Sequence, residues 1–214
     1  MKYPVSENQK QLILGSILGD GHLRRSNGPT SNTALRWRHG IKQLDYLKWK
    51  DSLLGDLRGS GVKTQTSSSF GKERLICYAV SKHINKLNPF LELCGHPKKV
   101  TRKLLNMLSP LGLAIWYMDD GCLEKKFYTN SSGEERLARL RVKLCTQGFS
   151  LEEHYIMQRY FKVVHSLDVA IHKSGKGTYN LVMNRTNAVK FLAMIEPYVH
   201  HSMRYKIDLS PTRA

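Results

Sequence analysis

Two acids are placed where an acid is not expected. "LILGSILGDG" (Leu12 to Gly21) and "LAIWYMDDG" (Leu113 to Gly121) are apolar runs that each close on Asp-Gly. Asp20 and Asp120 lie 120 − 20 = 100 positions apart in a chain of 214 residues with a formal net charge of +17. Each run reads as an apolar helix, and its last turn is the negative end of the helix dipole, unfavourable for an anion. Gly21 suits the left-handed position that stops such a helix. If the two helices pack together, the two carboxylates meet at one end and repel each other. A hard divalent cation removes that conflict, and Mg²⁺ with carboxylate and phosphate oxygens fits best, with Mn²⁺ as a substitute. Such a centre suits phosphodiester hydrolysis, because a bound cation polarises a phosphate oxygen and lowers the pKa of a water. His22, just beyond the first acid, reads as a surface or DNA contact rather than a general base.

The glycines of the first run say how the helices meet. Gly15 and Gly19 are spaced i, i+4 and share one stripe. Each costs about 1 kcal/mol against alanine inside a helix, so a close approach of another element must offset them. The matching positions of the second run are Ile115 and Asp119. The glycines of the first helix therefore make room for larger side chains of the second. Asp119 beside Asp120 leaves two candidates for one ligand position, and the place next to Gly121 favours Asp120.

The elements that would hold these acids occur twice. Residues 1–95 and 105–214 form two repeats joined by a linker over 96–104, with Gly95 just before it and Pro97 near its start. Each repeat predicts helix, strand, strand, helix, strand, strand, helix. The first strand pair precedes helices over Leu44 to Leu57 and Ser150 to Ser166. The final helices fall over Lys82 to Glu92 and Thr186 to Tyr198. "RRSNGPTSN" (Arg24 to Asn32) and "KSGKGT" (Lys173 to Thr178) read as hairpin turns. A period near 100 residues is too long for a solenoid and points to duplication with a pseudo-two-fold axis. The fold class is α+β.

Strand phase separates charge from core. In "LRWRHGIK", Arg36, Arg38, Gly40 and Lys42 share one face, and Leu35 and Trp37 the other. In "RLRVKLCTQ", Arg139, Arg141, Lys143, Cys145 and Gln147 oppose Leu140, Val142 and Leu144. The cationic faces would repel themselves unless a polyanion neutralises them. Arg24, Arg25, Lys63, Gln65, Lys125, His172 and Lys173 extend the candidate interface. Trp37, Trp49 and Trp116 fall on apolar phases or within helices and read as core.

Composition agrees with this partner. The chain has 34 Lys and Arg against 17 Asp and Glu, and a pI near 9.8, which favours nucleic acid. No apolar run is long enough to span a membrane, and no signal peptide precedes the first repeat. Cys77, Cys94, Cys122 and Cys145 lack zinc spacing and read as free thiols, the state expected in an intracellular, reducing compartment.

The paired runs resemble the two motifs of the single-chain LAGLIDADG homing endonucleases, over about Gln9 to Asp208. "LAIWYMDDGCL" and "LGSILGDGHL" carry the likeness most strongly. "KKVTRKLLNMLSPLGLAIWYMDDG", "LCTQGFSLEE" and "MRYKIDL" resemble the small intron-encoded type. The resemblance implies a monomeric saddle of two αββαββα units with two four-stranded antiparallel sheets. It implies that Asp20 and Asp120 are the metal ligands, with Gly19 and Asp119 beside them as further candidates at two or three Mg²⁺ ions. It also implies basic residues near the scissile phosphates at Lys99 and Lys206, and water-ordering polar residues at Lys42 and Gln147. The activity implied is site-specific cleavage of both strands of a long asymmetric DNA target, leaving short 3′ overhangs. The rivals are a maturase that binds group I intron RNA and a non-catalytic DNA-binding regulator. Intact acids in both motifs favour cleavage. An intein origin is disfavoured, because the chain starts at Met1 directly before the first repeat and ends "SPTRA" without a terminal Asn.

Overall fold

A computed structural model describes residues 3–27, 31–69 and 72–210. Helix α1 (Glu7–Leu18) opens on a capping box, in which the Ser6 hydroxyl accepts from Gln9 N–H and the Gln9 side chain accepts from Ser6 N–H. It is followed by β1 (His22–Arg25), β2 (Thr33–Gly40), α2 (Leu44–Leu53), β3 (Lys63–Ser69), β4 (Lys72–Val80) and α3 (Asn88–Cys94). A four-residue helix α4 (Arg102–Leu105) leads into the second repeat. That repeat holds α5 (Pro110–Asp120), β5 (Gly121–Thr129), β6 (Glu135–Leu144), α6 (Leu151–His165), β7 (Val169–Gly175), β8 (Thr178–Met183) and α7 (Arg185–Ile195). The two sheets are antiparallel with the same order, β1-β2-β4-β3 and β5-β6-β8-β7. The expected element order is therefore found in both repeats.

Three boundaries differ from the sequence expectation. The helix expected over Lys82 to Glu92 is a 3₁₀ turn at Asn85–Leu87 followed by α3, which starts with Pro89 in its first turn. β2 ends at Gly40, so Lys42 lies in a 3₁₀ turn (Ile41–Gln43) rather than on the strand. The tip of the first hairpin, with Gly28 and Pro29, lies outside the described residues.

Helices α1 and α5 cross at the centre with little between them. A Cβ at Gly15 would fall 2.4 Å from the Gly112 carbonyl oxygen and 2.9 Å from Ile115 Cβ. A Cβ at Gly19 would fall 2.5 Å from Asp119 Cβ. The glycines thus face the larger residues of α5, as the sequence predicts. Buried Gln11 ties the helices together: its Nε2 donates to the Met107 carbonyl (2.8 Å), and its Oε1 accepts from Ser109 N–H (2.8 Å) at the start of α5. One continuous apolar core runs through both repeats, from Leu12 and Trp37 to Trp116, Phe161 and Phe191. Trp37 is anchored to α1 by its Nε1–H donating to Ser16 Oγ at 2.9 Å. Trp49 is only partly buried and stacks on Tyr46 and His200. Among the described residues, no helix is long and apolar enough to cross a membrane.

Candidate metal centre and cationic sheet faces

The close crossing of α1 and α5 brings their final acids to one place. Burial, and then the negative charges of Asp20 and Asp119, push the Asp120 carboxyl up to about pKa 7. The Asp20 carboxyl is raised by burial and by Asp119, against the opposing charges of Lys50, Lys206 and Lys98. These two acids share a field that disfavours two negative charges, and the Asp20 side chain is still 37% exposed. That donor set, two oxygen-only ligands whose mutual repulsion the nearby lysines offset only in part, with an open side, fits a hard divalent cation.

A lysine closes each helix end. Lys98 Nζ donates to the Gly19 carbonyl at 3.2 Å. Lys206 Nζ donates to the Met118 carbonyl at 2.5 Å and lies 3.4 Å from the Asp119 carbonyl. Gly19 and Asp119 are matching positions, so Lys98 is the counterpart of Lys206. Burial pulls both ammonium groups below the usual lysine range, and the surrounding acids oppose that shift. The sequence expectation named Lys99 for this place. Lys98 and Lys99 are both exposed residues, but it is the Lys98 ammonium that turns onto the Gly19 carbonyl and whose charge reaches Asp20 and Asp120. The Gly19 carbonyl, a candidate ligand atom, is engaged by Lys98.

Asp119 behaves unlike the two acids. Its Oδ1 accepts from Lys50 Nζ and from Tyr46 O–H, each at 2.8 Å, and its Oδ2 accepts from Asp20 N–H at 3.2 Å. Asp20, His39 and Asp119 each offer an atom within 4.8 Å of the others. Yet Asp119 is buried and both its oxygens already have partners, so it is poorly placed to serve as a ligand. His39 Nδ1 lies 3.4 Å from Asp20 Oδ2. Burial and the charge of Lys50 push its pKa down to about 4, which keeps the ring neutral.

Sequence reasoning missed Lys50, Tyr46, His39 and Lys98. Tyr46 and Lys50 are spaced i, i+4 on the buried stripe of α2, and a lysine on an apolar stripe was the available signal. His39 shares the inner face with Leu35 and Trp37. For Lys98 the sequence carries no signal that separates it from Lys99; the contact with the Gly19 carbonyl does.

Register sorts the expected DNA contacts by face, since residues opposite each other point the same way. His22 pairs with Arg36 and Arg24 with Ala34, which sets Arg24, Arg36 and Arg38 on the outer face. Lys63 opposite Tyr78 and Gln65 opposite Ile76 join them, because Tyr78 pairs with Arg38 and Ile76 with Gly40. In the second sheet Cys122 pairs with Lys143, Glu124 with Arg141 and Lys126 with Arg139, which forms the matching outer face. His172, opposite Asn180, belongs to it as well.

Four expected positions are corrected. Lys125 pairs with Leu140 on the core side, and its Nζ donates to the Asp208 (3.0 Å) and Ser210 (2.6 Å) carbonyls. Lys126 is the outward cation there. Arg25 pairs with Thr33 on the inner side and lies 3.8 Å from Glu92. Lys173 pairs with Tyr179 on the side of Ile171. Lys42 is not the counterpart of Gln147. His22 faces Arg36 as Cys122 faces Lys143, an offset of 143 − 36 = 107, which puts Gly40 opposite in role to Gln147. Gln147 itself is exposed in the turn after β6.

The thiols divide into two sorts. Cys77 and Cys94 are buried, and Cys122 and Cys145 are half-buried beside the centre. The two thiols interact, which pulls the Cys122 pKa down and pushes the Cys145 pKa up.

The family model described as LAGLIDADG DNA endonuclease family matches residues 10–191. The chain belongs to the LAGLIDADG DNA endonuclease family. A "Protein RecA" of Mycolicibacterium flavescens is 33% identical over 207 residues, 95% of this chain and 47% of that protein. The chain thus spans about half the length of such curated relatives. "DNA endonuclease I-ChuI" of Chlamydomonas applanata is 27% identical over 225 residues, 95% of this chain and 96% of that protein. Among solved structures, the homing endonuclease I-WcaI bound to its DNA recognition sequence has the same fold. Its TM-score is 0.84 at 20% identity, covering 96% of this chain and 88% of that one. These relatives match 95% of this chain and the solved structure 96%, so the likeness extends over both repeats.

Proposed function

We propose that this chain is a site-specific homing endonuclease that cuts both strands of a long asymmetric DNA duplex with Mg²⁺ and leaves short 3′ overhangs. The observation that carries this reading is the shared acidic centre of Asp20 and Asp120, at the start of two outward cationic sheet faces. The two faces differ in sequence, so the site they read is asymmetric. Arg24, Arg36, Arg38, Lys63 and Gln65 face one half, and Lys126, Arg139, Arg141, Lys143 and His172 the other. Arginines suit guanine edges and phosphates, and the lysines suit phosphates.

Asp20 and Asp120 would hold the cation, which supplies phosphate polarisation and an activated water when bound. The chain's own residues then do the rest. Lys98 and Lys206, anchored on the final carbonyls of the two helix ends, face charge that builds up on the phosphate and the leaving 3′ oxygen. His39 is neutral and lies against Asp20, which limits the approach of water from the core side. The exposed edge of Asp20 opens onto a cleft lined by Arg36, Arg38, Gln65 and Tyr78, where a backbone phosphate can enter.

The test is selection from a randomised duplex pool. Wild-type protein with Mg²⁺ is expected to enrich one asymmetric cleaved sequence. Asp20→Asn and Asp120→Asn are expected to bind that sequence without cutting it. Cleavage by both variants at the wild-type rate contradicts the reading.

A further inference from the structure

The two acids of the centre are held in different ways. Asp120 is the last residue of α5, inside the helix. Asp20 lies beyond α1, which ends at Leu18. In a continued helix Asp20 N–H would donate to the Ser16 carbonyl. That carbonyl is taken by Gly21 N–H at 2.7 Å. Asp20 N–H instead leaves the helical ladder and donates across the repeat boundary to Asp119 Oδ2 at 3.2 Å.

Asp119 is fixed from behind. Lys50 Nζ and Tyr46 O–H, both from α2 and both fully buried, donate to its Oδ1 at 2.8 Å. Room for the carboxylate exists only because position 19 lacks a side chain: a Cβ there would sit 2.8 Å from Asp119 Oδ2. The same absence means that the first repeat returns no matching carboxylate to Asp120. The brace is one-sided by construction.

We infer that Asp119, backed by Lys50 and Tyr46, is a positioning residue for Asp20 alone, so the two halves of the centre are preorganised unequally. The DNA strand whose cleavage draws more heavily on Asp20 depends on the brace more than the other strand does. This consequence for the strands rests on the nuclease reading above. The consequence for the Asp20 amide does not.

Removing only one of two buried opposite charges strands the other and endangers the fold. Two paired variants avoid this. Lys50→Met with Asp119→Asn removes both charges and keeps an acceptor for Asp20 N–H. Lys50→Met with Asp119→Leu removes the acceptor too. Amide hydrogen exchange by NMR on the full chain reads the brace directly. The leucine variant is expected to exchange the Asp20 amide about tenfold faster or more, with the Asp120 amide unchanged, and the asparagine variant to keep Asp20 protection. Unchanged Asp20 exchange in the leucine variant overturns the inference. Loss of protection throughout α1 and α5 overturns it too, since the brace would then be a general structural tie.

The strand arm uses a supercoiled plasmid with the selected site and separately labelled strands. The leucine variant is expected to slow one strand by about 10-fold to 100-fold and to accumulate nicked circles, with the asparagine variant near wild type. Equal slowing of both strands overturns the inference. If wild-type protein cuts no duplex, the nuclease reading fails while the exchange result still decides the brace.

Discussion

The two repeats agree in their sheets and part company at their seam. Both sheets have the same strand order, and both turn a cationic face outward while leucine, valine or tryptophan fill the core side. At the α1–α5 crossing the repeats are opposites. One helix offers Gly15 and Gly19, and the other fills the space with Ile115 and Asp119. A pseudo-two-fold axis explains both facts. Sheets far from the axis can each keep the same pattern. Residues on the axis compete for one volume, so a large residue on one side requires a small one on the other. The same exchange carries Lys50, Tyr46 and Asp119 into the first repeat's side of the centre. The two similar halves therefore meet at a junction that cannot be symmetric.

The largest test of this contrast removes either acid. Asp20→Asn and Asp120→Asn are each expected to abolish DNA cleavage and leave duplex affinity nearly unchanged, measured by gel cleavage and fluorescence anisotropy. Full cleavage by either variant would mean that the halves do not share one centre. Next comes the pair of adjacent lysines. Lys98→Ala is expected to slow cleavage by about 10-fold to 100-fold, as loss of a supporting group does, and Lys99→Ala to change it little. The reverse order would move the cation to the position expected from sequence.

The seam can be probed without activity. Gly15→Ala puts a methyl group against the Gly112 carbonyl and is expected to cost roughly 1–3 kcal/mol in denaturant unfolding. Gly148→Ala meets nothing within 4 Å and serves as the near-neutral control. Equal effects would mean that the helices do not meet at Gly15.

If Asp120 holds the proposed cation, protons and cations compete for its carboxylate. Its folded carboxyl is raised to about 7 from the ordinary aspartate value of 3.8. The folded state therefore holds a proton that the unfolded chain has lost between those values. The resulting stability is fully present below about pH 4 and disappears as pH rises through about 7. A divalent cation takes the proton's place, so Mg²⁺ is expected to raise Tm more at pH 8 than at pH 5.5. An equal rise at both pH values would separate the cation from Asp120. The smallest effect concerns the two outer faces. Among the described residues Arg38 donates to Ser67 and has no acidic partner, whereas Lys143 is paired with Glu124 at 2.6 Å. Arg38→Ala is expected to lower the salt slope of DNA binding by about 1, and Lys143→Ala by less.

Much of this was legible in the sequence because it rests on period and spacing. Asp20, Asp120 and the Gly15–Gly19 stripe follow from helical spacing, and Arg36, Arg38, Arg139 and Arg141 from strand alternation. Three things were not legible from period alone. Lys125 and Lys126 differ only in strand phase, and the register shift between Lys126 and Phe127 begins there. Lys42 and Lys99 were matched along the chain, although the β-hairpin register aligns Gly40 with Gln147, and the carbonyl contacts align Lys98 with Lys206. The Lys50–Asp119 pair joins residues 69 positions apart across the repeat boundary, which no local pattern records.

The central claim is that one cation site is built jointly by Asp20 and Asp120. Anomalous diffraction from a crystal of the protein with its selected duplex and Mn²⁺ tests it most directly. The account predicts a manganese peak within ligand distance of both carboxylates, with Asp119 still on Lys50. A peak held by Asp119 and His39 without Asp120, or manganese on only one of the two acids, would contradict it.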